Sequence, residues 1–237
     1  MPVEVRTTQP EPESVAERRR VWLERSRLYL VCDARPGGHE PEQILRPALQ
    51  AGVDIVQLRE KSPDGPGSRP TEGAIEAGHV FRRLCDAYDA LFIVNDNPEL
   101  AIACSADGVH LGQDDAHPRD VRRALGHEAL IGLSTHSPAE VDSAEGVDYI
   151  SVGPVHRTPT KPEYEPVGFE LVRYAAEHAT VPFFAIGGID PANVDEVLDA
   201  GAGRVAVVRA IRDADDPAEA ARILRARVYA RATAGSN

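Results

Sequence analysis

Cysteine, aromatic residues and long apolar runs are scarce in this chain of 237 residues, and each scarcity excludes a class of protein. The three cysteines, Cys32, Cys85 and Cys104, cannot all pair, and no two have the short spacing of a zinc or redox motif. We expect buried free thiols in a reducing compartment. No run approaches the roughly 20 apolar residues that cross a bilayer, and the N-terminus lacks the apolar stretch of a signal peptide. We therefore expect a cytoplasmic protein with no membrane partner.

The charge balance argues against a nucleic-acid partner. The chain has 38 acidic residues against 26 Lys and Arg, a formal net charge of -12 at pH 7, and aromatics make up only 5%. A protein that binds a phosphate backbone needs a clustered basic face. Small anionic substrates remain compatible with this composition, because a local cationic pocket can lie within an acidic surface.

Short apolar runs alternate with helical patterns along most of the chain. The runs are LYLV, VDIVQL, LFIV, GVHL, LIGL, YISV, FFAI and RVAVV, and helical patterns separate them over 40–51, 73–88, 117–125, 168–178, 190–200 and 217–230. This alternation predicts parallel strands with right-handed crossovers, and eight units at this length predict an α/β fold, a single-domain TIM (β/α)8 barrel. An open doubly wound sheet would carry a Gly-rich fingerprint after the first strand, where Cys32 to Arg35 stand instead.

The N-terminal segment is expected to lie outside the barrel. We assign residues 1–26 to a tail and a short helix, and residues 27–232 to the barrel domain. Ser14 followed by Glu17 resembles a capping box, and an amphipathic stretch continues through Leu23. Two positions stay open for this helix: it either plugs the barrel floor or lies on the outside with little stability of its own.

Strand ends are where a barrel of this type carries its chemistry. In the second strand, a period of two places Gln57, Arg59 and Lys61 on one face and Val56 and Leu58 on the other. The outer face must meet apolar helices, so the three polar side chains are expected to point into the barrel mouth. Two inward cations need an anion, which is either a ligand or an internal carboxylate.

Carboxylates follow two neighbouring strands. The third strand ends in Asn95 and Asp96, and Gln113 and Asp115 follow the fourth. Neighbouring strands lie about 5 Å apart, so Asp96 and Asp115 are expected to share one Mg²⁺, which commonly takes one or two protein carboxylates, water and substrate phosphate oxygens. Helix capping is the alternative role for either residue alone.

The later loops supply donors and a candidate phosphate site. Ser134 follows the fifth strand, a long loop after the sixth carries Thr158, Thr160 and Lys161, Gly187 and Gly188 follow the seventh, and Val208 and Arg209 end the eighth. Long loops can close over a phosphorylated substrate, and the last two βα loops often bind phosphate. Solvated polar residues and a tight turn are the plain alternatives.

Two histidines are placed near these strand ends. His110 lies within a strand and fits a core residue with a satisfied ring better than a base. His136 stands beyond a strand end, where proton transfer is feasible, and no carboxylate partner for it can be named from the sequence.

In their order along the chain, these residues resemble those of the thiamine phosphate synthase family. The resemblance covers about residues 27–228 and comprises Gln57, Arg59, Lys61, Asn95, Asp96, Gly112, Gln113, Asp115, Ser134, Thr158, Thr160, Lys161 and Gly188. It implies a Mg²⁺-dependent transferase that joins 4-amino-2-methyl-5-hydroxymethylpyrimidine diphosphate to a thiazole phosphate, giving thiamine phosphate and diphosphate. In the family the pyrimidine is thought to ionise before the thiazole nitrogen attacks, so the protein mainly positions the reactants and screens charge.

The resemblance also implies a role for each residue. The pyrimidine diphosphate would be held by Gln57, Arg59, Lys61, Asn95, Ser134 and Lys161, of which Arg59, Lys61, Ser134 and Lys161 form the catalytic set. Asp96 and Asp115 would bind magnesium, and the thiazole phosphate would be surrounded by Thr158, Thr160, Gly188, Val208 and Arg209. Arg209 departs from the family, which often has a small residue there, so its side-chain role stays open. Beyond these small molecules, only a homo-oligomer is considered as a partner.

Two other functions remain as alternatives. A related thiazole tautomerase would isomerise a thiazole carboxylate phosphate, and His136 keeps that option open, whereas Gln113, Asp115, Thr160 and Lys161 favour the synthase. A non-catalytic barrel that senses a thiamine precursor or phosphate is the third interpretation, because binding residues alone do not prove turnover. Metal dependence discriminates between a sensor and the synthase.

Overall fold

Eight parallel strands close into a barrel in chain order, each paired with the next and the eighth with the first. The computed structural model describes residues 14–60, 68–158 and 165–234. The strands are β1 Leu28–Cys32, β2 Ile55–Leu58, β3 Leu91–Asn95, β4 Gly108–Leu111, β5 Leu130–Thr135, β6 Tyr149–Val152, β7 Phe183–Ile186 and β8 Val205–Val207. The predicted TIM barrel is confirmed, and every predicted run overlaps one of these strands.

Helices follow the strands and cover the barrel. Within the described ranges they are α1 Val15–Arg25, α2 Pro41–Gln50, α3 Glu72–Ala87, α4 Pro98–Ala103, α5 Pro118–Leu125, α6 Pro138–Asp142, α7 Gly168–His178, α8 Val194–Asp199, α9 Arg209–Arg212 and α10 Pro217–Ala234. Their starts are encoded locally: Asn97 accepts a hydrogen bond from the Leu100 N–H at 2.9 Å and Ser137 from the Glu140 N–H at 3.3 Å, each just before a proline. None of the helices in the described chain is long and apolar enough to cross a membrane.

Alternation along the strands divides the buried residues into two layers. Outward side chains such as Val56 and Leu58 pack with the helices in the larger cluster, which also holds the free, buried cysteines. Inward side chains fill the barrel with a smaller cluster that includes Tyr29, Ile55 and Tyr149. The inward direction predicted for the face of β2 that carries Gln57 is thus confirmed by Ile55.

The N-terminal helix α1 plugs the barrel floor. Leu23 is only 2% exposed and belongs to the inward cluster, whereas its neighbour Trp22 is 40% exposed. Arg19 Nε lies 2.9 Å from Asp107 Oδ1, and Arg20 Nε lies 2.9 Å from Asp148 Oδ1. The sequence left two positions open for α1, and in the structure the helix lies at the barrel floor. The division at residue 26 stays a prediction, and residues 1–13 lie outside the described chain.

Three carboxylates secure the starts of the strands at this floor. Asp54, Asp107 and Asp148 immediately precede β2, β4 and β6, and each accepts a 2.8 Å hydrogen bond from a backbone N–H at the start of the preceding strand. Each also has a side-chain partner: Tyr229 for Asp54, Arg82 and Arg19 for Asp107, and Arg122 and Arg20 for Asp148. We name these three residues the floor carboxylates. They are engaged in holding the barrel at the end opposite to the expected chemistry.

Candidate active site

A cavity of about 480 Å³ opens at the carboxyl ends of the strands. It brings together eight of the residues singled out in the sequence: Gln57, Arg59, Asn95, Ser134, Thr158, Gly188, Val208 and Arg209. These residues belong to the ends of β2, β3, β5, β6, β7 and β8 or to the loops that follow them, so only closure of the barrel brings them to one place. Closure of the barrel thus places these eight residues around one pocket of a size typical for small-molecule ligands, whereas Asp96 and Asp115 are not part of its lining.

Three of the predicted residues cannot be located in this pocket. Lys61, Thr160 and Lys161 lie outside the described residues. Their roles stay predictions from the sequence.

Arg59 supplies positive charge to the pocket. It follows β2, and its backbone N–H donates to the Cys32 carbonyl oxygen at 2.8 Å, which fixes its place at the mouth. In the described parts of the chain its guanidinium has no hydrogen bond or ion pair with a protein group. An unpaired guanidinium at the wall of a cavity favours an anionic ligand over the internal salt bridge that the sequence left open.

The ends of β3 and β4 form an acidic edge beside the pocket. Asp96 has a positive φ of 60°, and its N–H donates to the His110 carbonyl oxygen on β4 at 2.8 Å. Asn95 donates a very short hydrogen bond to the Asp96 carboxylate. A non-glycine residue in the left-handed region is costly, and such strain is concentrated at functional sites.

Asp115 lies in the turn after β4. Its Oδ2 accepts a hydrogen bond from the Gly112 N–H at 2.7 Å, so it ties its own loop back to the end of the strand. This is a local capping bond, in part the alternative role considered above, although it uses only one carboxylate oxygen. Among the described residues, no cluster of three or more His, Cys, Asp or Glu side chains is arranged around a metal. The two carboxylates at adjacent strand ends fit an ion that takes most of its ligands from water and phosphate.

The opposite side of the mouth is a glycine-lined wall. Gly187 and Gly188 have φ values of 108° and 64°, which favour glycine over any other residue. A Cβ on Gly187 would lie 2.5 Å from Pro154 Cα, and one on Gly188 would lie 2.8 Å from His156 Cβ. The glycines therefore allow the segment after β6 to lie directly against the end of β7.

The loops of this wall are held by backbone hydrogen bonds. Val155 and His156 donate their N–H groups to the carbonyl oxygens of Ile186 and Gly187 at 2.8 and 3.0 Å. Asn193 Nδ2 donates to the Gly188 carbonyl oxygen at 2.8 Å. These bonds engage the carbonyl oxygens of Ile186, Gly187 and Gly188, which reduces the repulsion that an anionic ligand would meet at this wall.

Arg209 begins the short helix α9 at the end of β8. Its Nε lies 3.3 Å from Asp213 Oδ2, and both residues line the pocket. Asp213 is also bound by Arg212 at 2.6 Å, and the Arg212 hydrogen bond lowers the pKa of the Asp213 carboxyl. The first N–H groups of a helix have no partner within it, so the backbone here can meet a phosphate whatever the Arg209 side chain does.

Both histidines named above touch the pocket. His110 is buried, with Nδ1 3.2 Å from the Tyr149 hydroxyl and Nε2 3.0 Å from Ser134 Oγ, so its ring is satisfied as expected. His136 Nδ1 donates to the Gly153 carbonyl oxygen at 2.5 Å. Its backbone N–H donates to Glu140 Oε2 at 2.6 Å, so this carboxylate contacts the main chain of His136.

Sequence reasoning missed a set of residues that build the inner end of the pocket. Tyr29, Ser151, Ile186 and Ala206 also line it, and Tyr149 lies behind them. The alternation that placed Gln57 inward applies equally to Tyr29 in LYLV and to Tyr149 and Ser151 in YISV. The same inward and outward alternation along β1 and β6 therefore indicates these residues from the sequence.

Together the fold and the site define a class: this is a TIM-barrel enzyme with a pocket for small molecules at its strand ends. The family model described as thiamine monophosphate synthase matches residues 28–211. The chain belongs to this family, and so to the transferases.

Curated relatives and solved structures agree with this assignment. The thiamine-phosphate synthase of Saccharopolyspora erythraea is 47% identical over 216 residues, which cover 88% of this chain and 96% of that protein. The thiamine-phosphate synthase of Thermus thermophilus is 48% identical over 208 residues, covering 86% and 97%. The structure of a thiamine phosphate pyrophosphorylase from Pyrococcus furiosus superposes with a TM-score of 0.76 at 34% identity, covering 86% of this chain and 96% of that one.

Proposed function

We propose that this enzyme joins 4-amino-2-methyl-5-hydroxymethylpyrimidine diphosphate to a thiazole phosphate and releases diphosphate, with Mg²⁺ at the acidic edge. The observation that carries the proposal is the pocket itself, in which the Arg59 guanidinium, unpaired among the described residues, and a glycine wall lie on different sides of one cavity. Two phosphorylated substrates need two such anion sites. Similarity at 47% to proteins named thiamine-phosphate synthase supports this choice of substrates.

In this proposal the two sides of the mouth hold different substrates. The pyrimidine diphosphate is held by Gln57, Arg59, Asn95 and Ser134, together with Lys61 and Lys161 from outside the described residues. Thr158, Gly188, Val208 and Arg209 surround the thiazole phosphate, with Thr160. The reacting carbon and nitrogen then meet across the cavity, and this positioning provides much of the rate acceleration.

Leaving-group chemistry accounts for the cations. Loss of diphosphate develops negative charge, which Arg59 neutralises at the wall of a partly enclosed pocket where such interactions are strong. Mg²⁺ bound by Asp96 and Asp115 would supply further neutralisation of the phosphate oxygens. No side chain acts as a nucleophile, so the buried residues of the inner pocket serve to bind the pyrimidine ring and exclude water.

Location and assembly are part of the same proposal. We expect a cytoplasmic enzyme whose partners are its small-molecule substrates, with no nucleic-acid or membrane partner, in line with its net charge of -12. A homo-oligomer stays an open prediction.

The direct test is an assay of the purified protein with both substrates and Mg²⁺. Diphosphate and thiamine phosphate should form only when all three are present. Isomerisation of a thiazole carboxylate phosphate without the pyrimidine would instead support a tautomerase. Binding of a precursor without any product would support a sensor, and either result would overturn the proposal.

Asp115→Asn separates metal binding from capping. The asparagine keeps an oxygen that accepts the hydrogen bond from the Gly112 N–H but loses the negative charge. We expect kcat to fall by about 100-fold, the scale seen when one charge-stabilising group is removed. Asp114→Asn is the matched control, because Asp114 is an exposed neighbour whose carboxylate makes no hydrogen bond or ion pair with the described residues. Full activity of Asp115→Asn would show that Asp115 caps the turn after β4 and does not bind metal.

A further inference from the structure

A continuous chain of buried hydrogen bonds crosses the barrel interior beneath the pocket. Gln57 Nε2 donates to the Tyr29 hydroxyl at 2.7 Å, and that hydroxyl lies 3.0 Å from the Tyr149 hydroxyl. Tyr149 lies 3.2 Å from His110 Nδ1, and His110 Nε2 lies 3.0 Å from Ser134 Oγ. The chain therefore links β2 to β5 through residues of β1, β6 and β4, and it begins and ends on residues that line the pocket.

The hydrogen-bond chain has a direction, which follows from the orientation of the Gln57 amide and from the number of protons that each later group owns. The Tyr29 hydroxyl accepts a hydrogen bond from Gln57. Among the described residues, the acceptor within reach of the Tyr29 hydroxyl proton is the Tyr149 hydroxyl. Tyr149 has then accepted one bond and must donate its proton to His110 Nδ1. A neutral ring that accepts at Nδ1 carries its proton on Nε2, which donates to Ser134 Oγ at 3.0 Å, the nearer of two hydroxyls, since Ser151 Oγ lies 3.3 Å away.

Both tyrosines remain protonated, which this direction requires. Complete burial raises the pKa of Tyr29 and of Tyr149 well above that of a free tyrosine. Tyr29, Tyr149 and Phe184 also pack as tilted and edge-to-face rings, with the Phe184 centroid 5.3 Å from that of Tyr29 and 5.8 Å from that of Tyr149. The hydroxyls are thus held by packing as well as by hydrogen bonds.

We propose that Tyr29, Tyr149 and His110 are positioning residues that force Gln57 to present its Oε1 as an acceptor and Ser134 to present its hydroxyl as a donor to the ligand ring. With Nε2 donating to Tyr29, the Gln57 amide can rotate only if every bond from Tyr29 to Ser134 reverses with it, so the amide of Gln57 and the hydroxyl of Ser134 are oriented together. Ser134 Oγ accepts from His110 and, at 3.5 Å, from the Ser151 hydroxyl, so its own proton is available for the ligand. An aminopyrimidine carries an amine donor and ring-nitrogen acceptors, so the inference rests on the proposed substrate for its ligand but on geometry for its direction.

The direction can be measured without substrate. In the full chain labelled with ¹⁵N on its histidine rings, the His110 signals are assigned by their loss in His110→Gln. At neutral pH we expect the tautomer with the proton on Nε2 and a bare Nδ1. A proton on Nδ1, or a charged ring, would overturn the proposal regardless of whether the protein makes thiamine phosphate.

Removing one hydroxyl from the middle of the hydrogen-bond chain tests whether these bonds affect ligand binding. Tyr149→Phe removes the hydroxyl between Tyr29 and His110 and keeps the ring in its packing. We expect a mixture of both His110 tautomers and a rise of about tenfold in KM for the pyrimidine diphosphate, with KM for the thiazole phosphate unchanged. Tyr29→Phe serves the same purpose if Tyr149→Phe does not fold. Tyr174→Phe is the control, because its hydroxyl bonds to Asp142 on the surface.

Each outcome decides the matter. A purely structural role would lower thermal stability and leave the tautomer and both KM values unchanged, which would overturn the proposal. The unmodified protein could show the expected tautomer, and Tyr149→Phe an altered one, without any thiamine phosphate being made. That result would refute the proposed function and still support the direction of the hydrogen bonds.

Discussion

Gly188→Ala tests whether the glycine wall positions the thiazole phosphate. At a φ of 64°, an alanine costs about 1–2 kcal/mol of stability. Its Cβ would also lie 2.8 Å from His156 Cβ, where carbon atoms prefer about 3.5 Å, so the two loops must separate by roughly 0.7 Å. Rotation of the His156 side chain cannot relieve this contact, because its Cβ is fixed by the backbone, and the ring is in addition packed edge-on against Phe169 with centroids 5.5 Å apart.

A displacement of this size is large for a binding site. Misplacing reactive groups by about 1 Å can cost on the order of 100-fold in rate, so we expect kcat/KM for the thiazole phosphate to fall by about 10- to 100-fold. The pyrimidine diphosphate lies on the other side of the mouth, so its KM should change little. Steady-state kinetics with each substrate varied in turn measures both values.

Gly146→Ala is the matched control for backbone strain. Gly146 has a similar φ of 74° and lies near the barrel floor, and no atom of the described chain comes within 4 Å of the place that an alanine Cβ would take. It should lose about the same 1–2 kcal/mol of stability and keep its kinetics. Equal kinetic effects of the two variants, or none from Gly188→Ala, would refute the assignment of the phosphate to this wall.

Two further predictions concern the buried core. Leu23→Ala should lower the free energy of unfolding in urea by about 3–5 kcal/mol, as for other buried leucines, whereas Trp22→Ala should cost far less because Trp22 is 40% exposed. Similar losses from both would contradict the floor position of α1. Burial raises the pKa of Cys32 and of Cys85 to about 12, so at pH 8 only about one thiol in ten thousand is a thiolate. Iodoacetamide should therefore label both in urea but hardly at all in the folded protein, with labelling increasing as the pH approaches 12, and rapid labelling of the folded protein would count against this burial.

The strands were predictable because each combines apolar content with a local period. Helices α4 and α6, with six and five residues, were not predicted as separate elements, because such lengths hold less than two turns of a helical period. The position of α1 depends on contacts such as Arg20 with Asp148, 128 residues away in sequence, which no local pattern contains.

Much of the candidate site was predictable for a different reason. Closure of the barrel brings all strand ends together, so the end of each strand sufficed to name Gln57, Ser134 and Gly188. The chain of buried hydrogen bonds from Gln57 to Ser134 was not predictable. A contact such as that between Tyr29 and Tyr149 depends on how far neighbouring strands are displaced along the barrel axis, which no single strand encodes. The ion pair of Arg209 with Asp213 likewise depends on α9, a helix of only four residues.

The floor carboxylates have a consequence for how this barrel can diverge or be redesigned. Asp54, Asp107 and Asp148 hold the strand starts, and none of them lines the pocket. Substitutions at the mouth that alter ligand preference leave these contacts intact, while loops there can be exchanged between related barrels without removing the bonds that close the cylinder. A library aimed at new substrates should therefore vary the mouth freely and keep these three aspartates fixed.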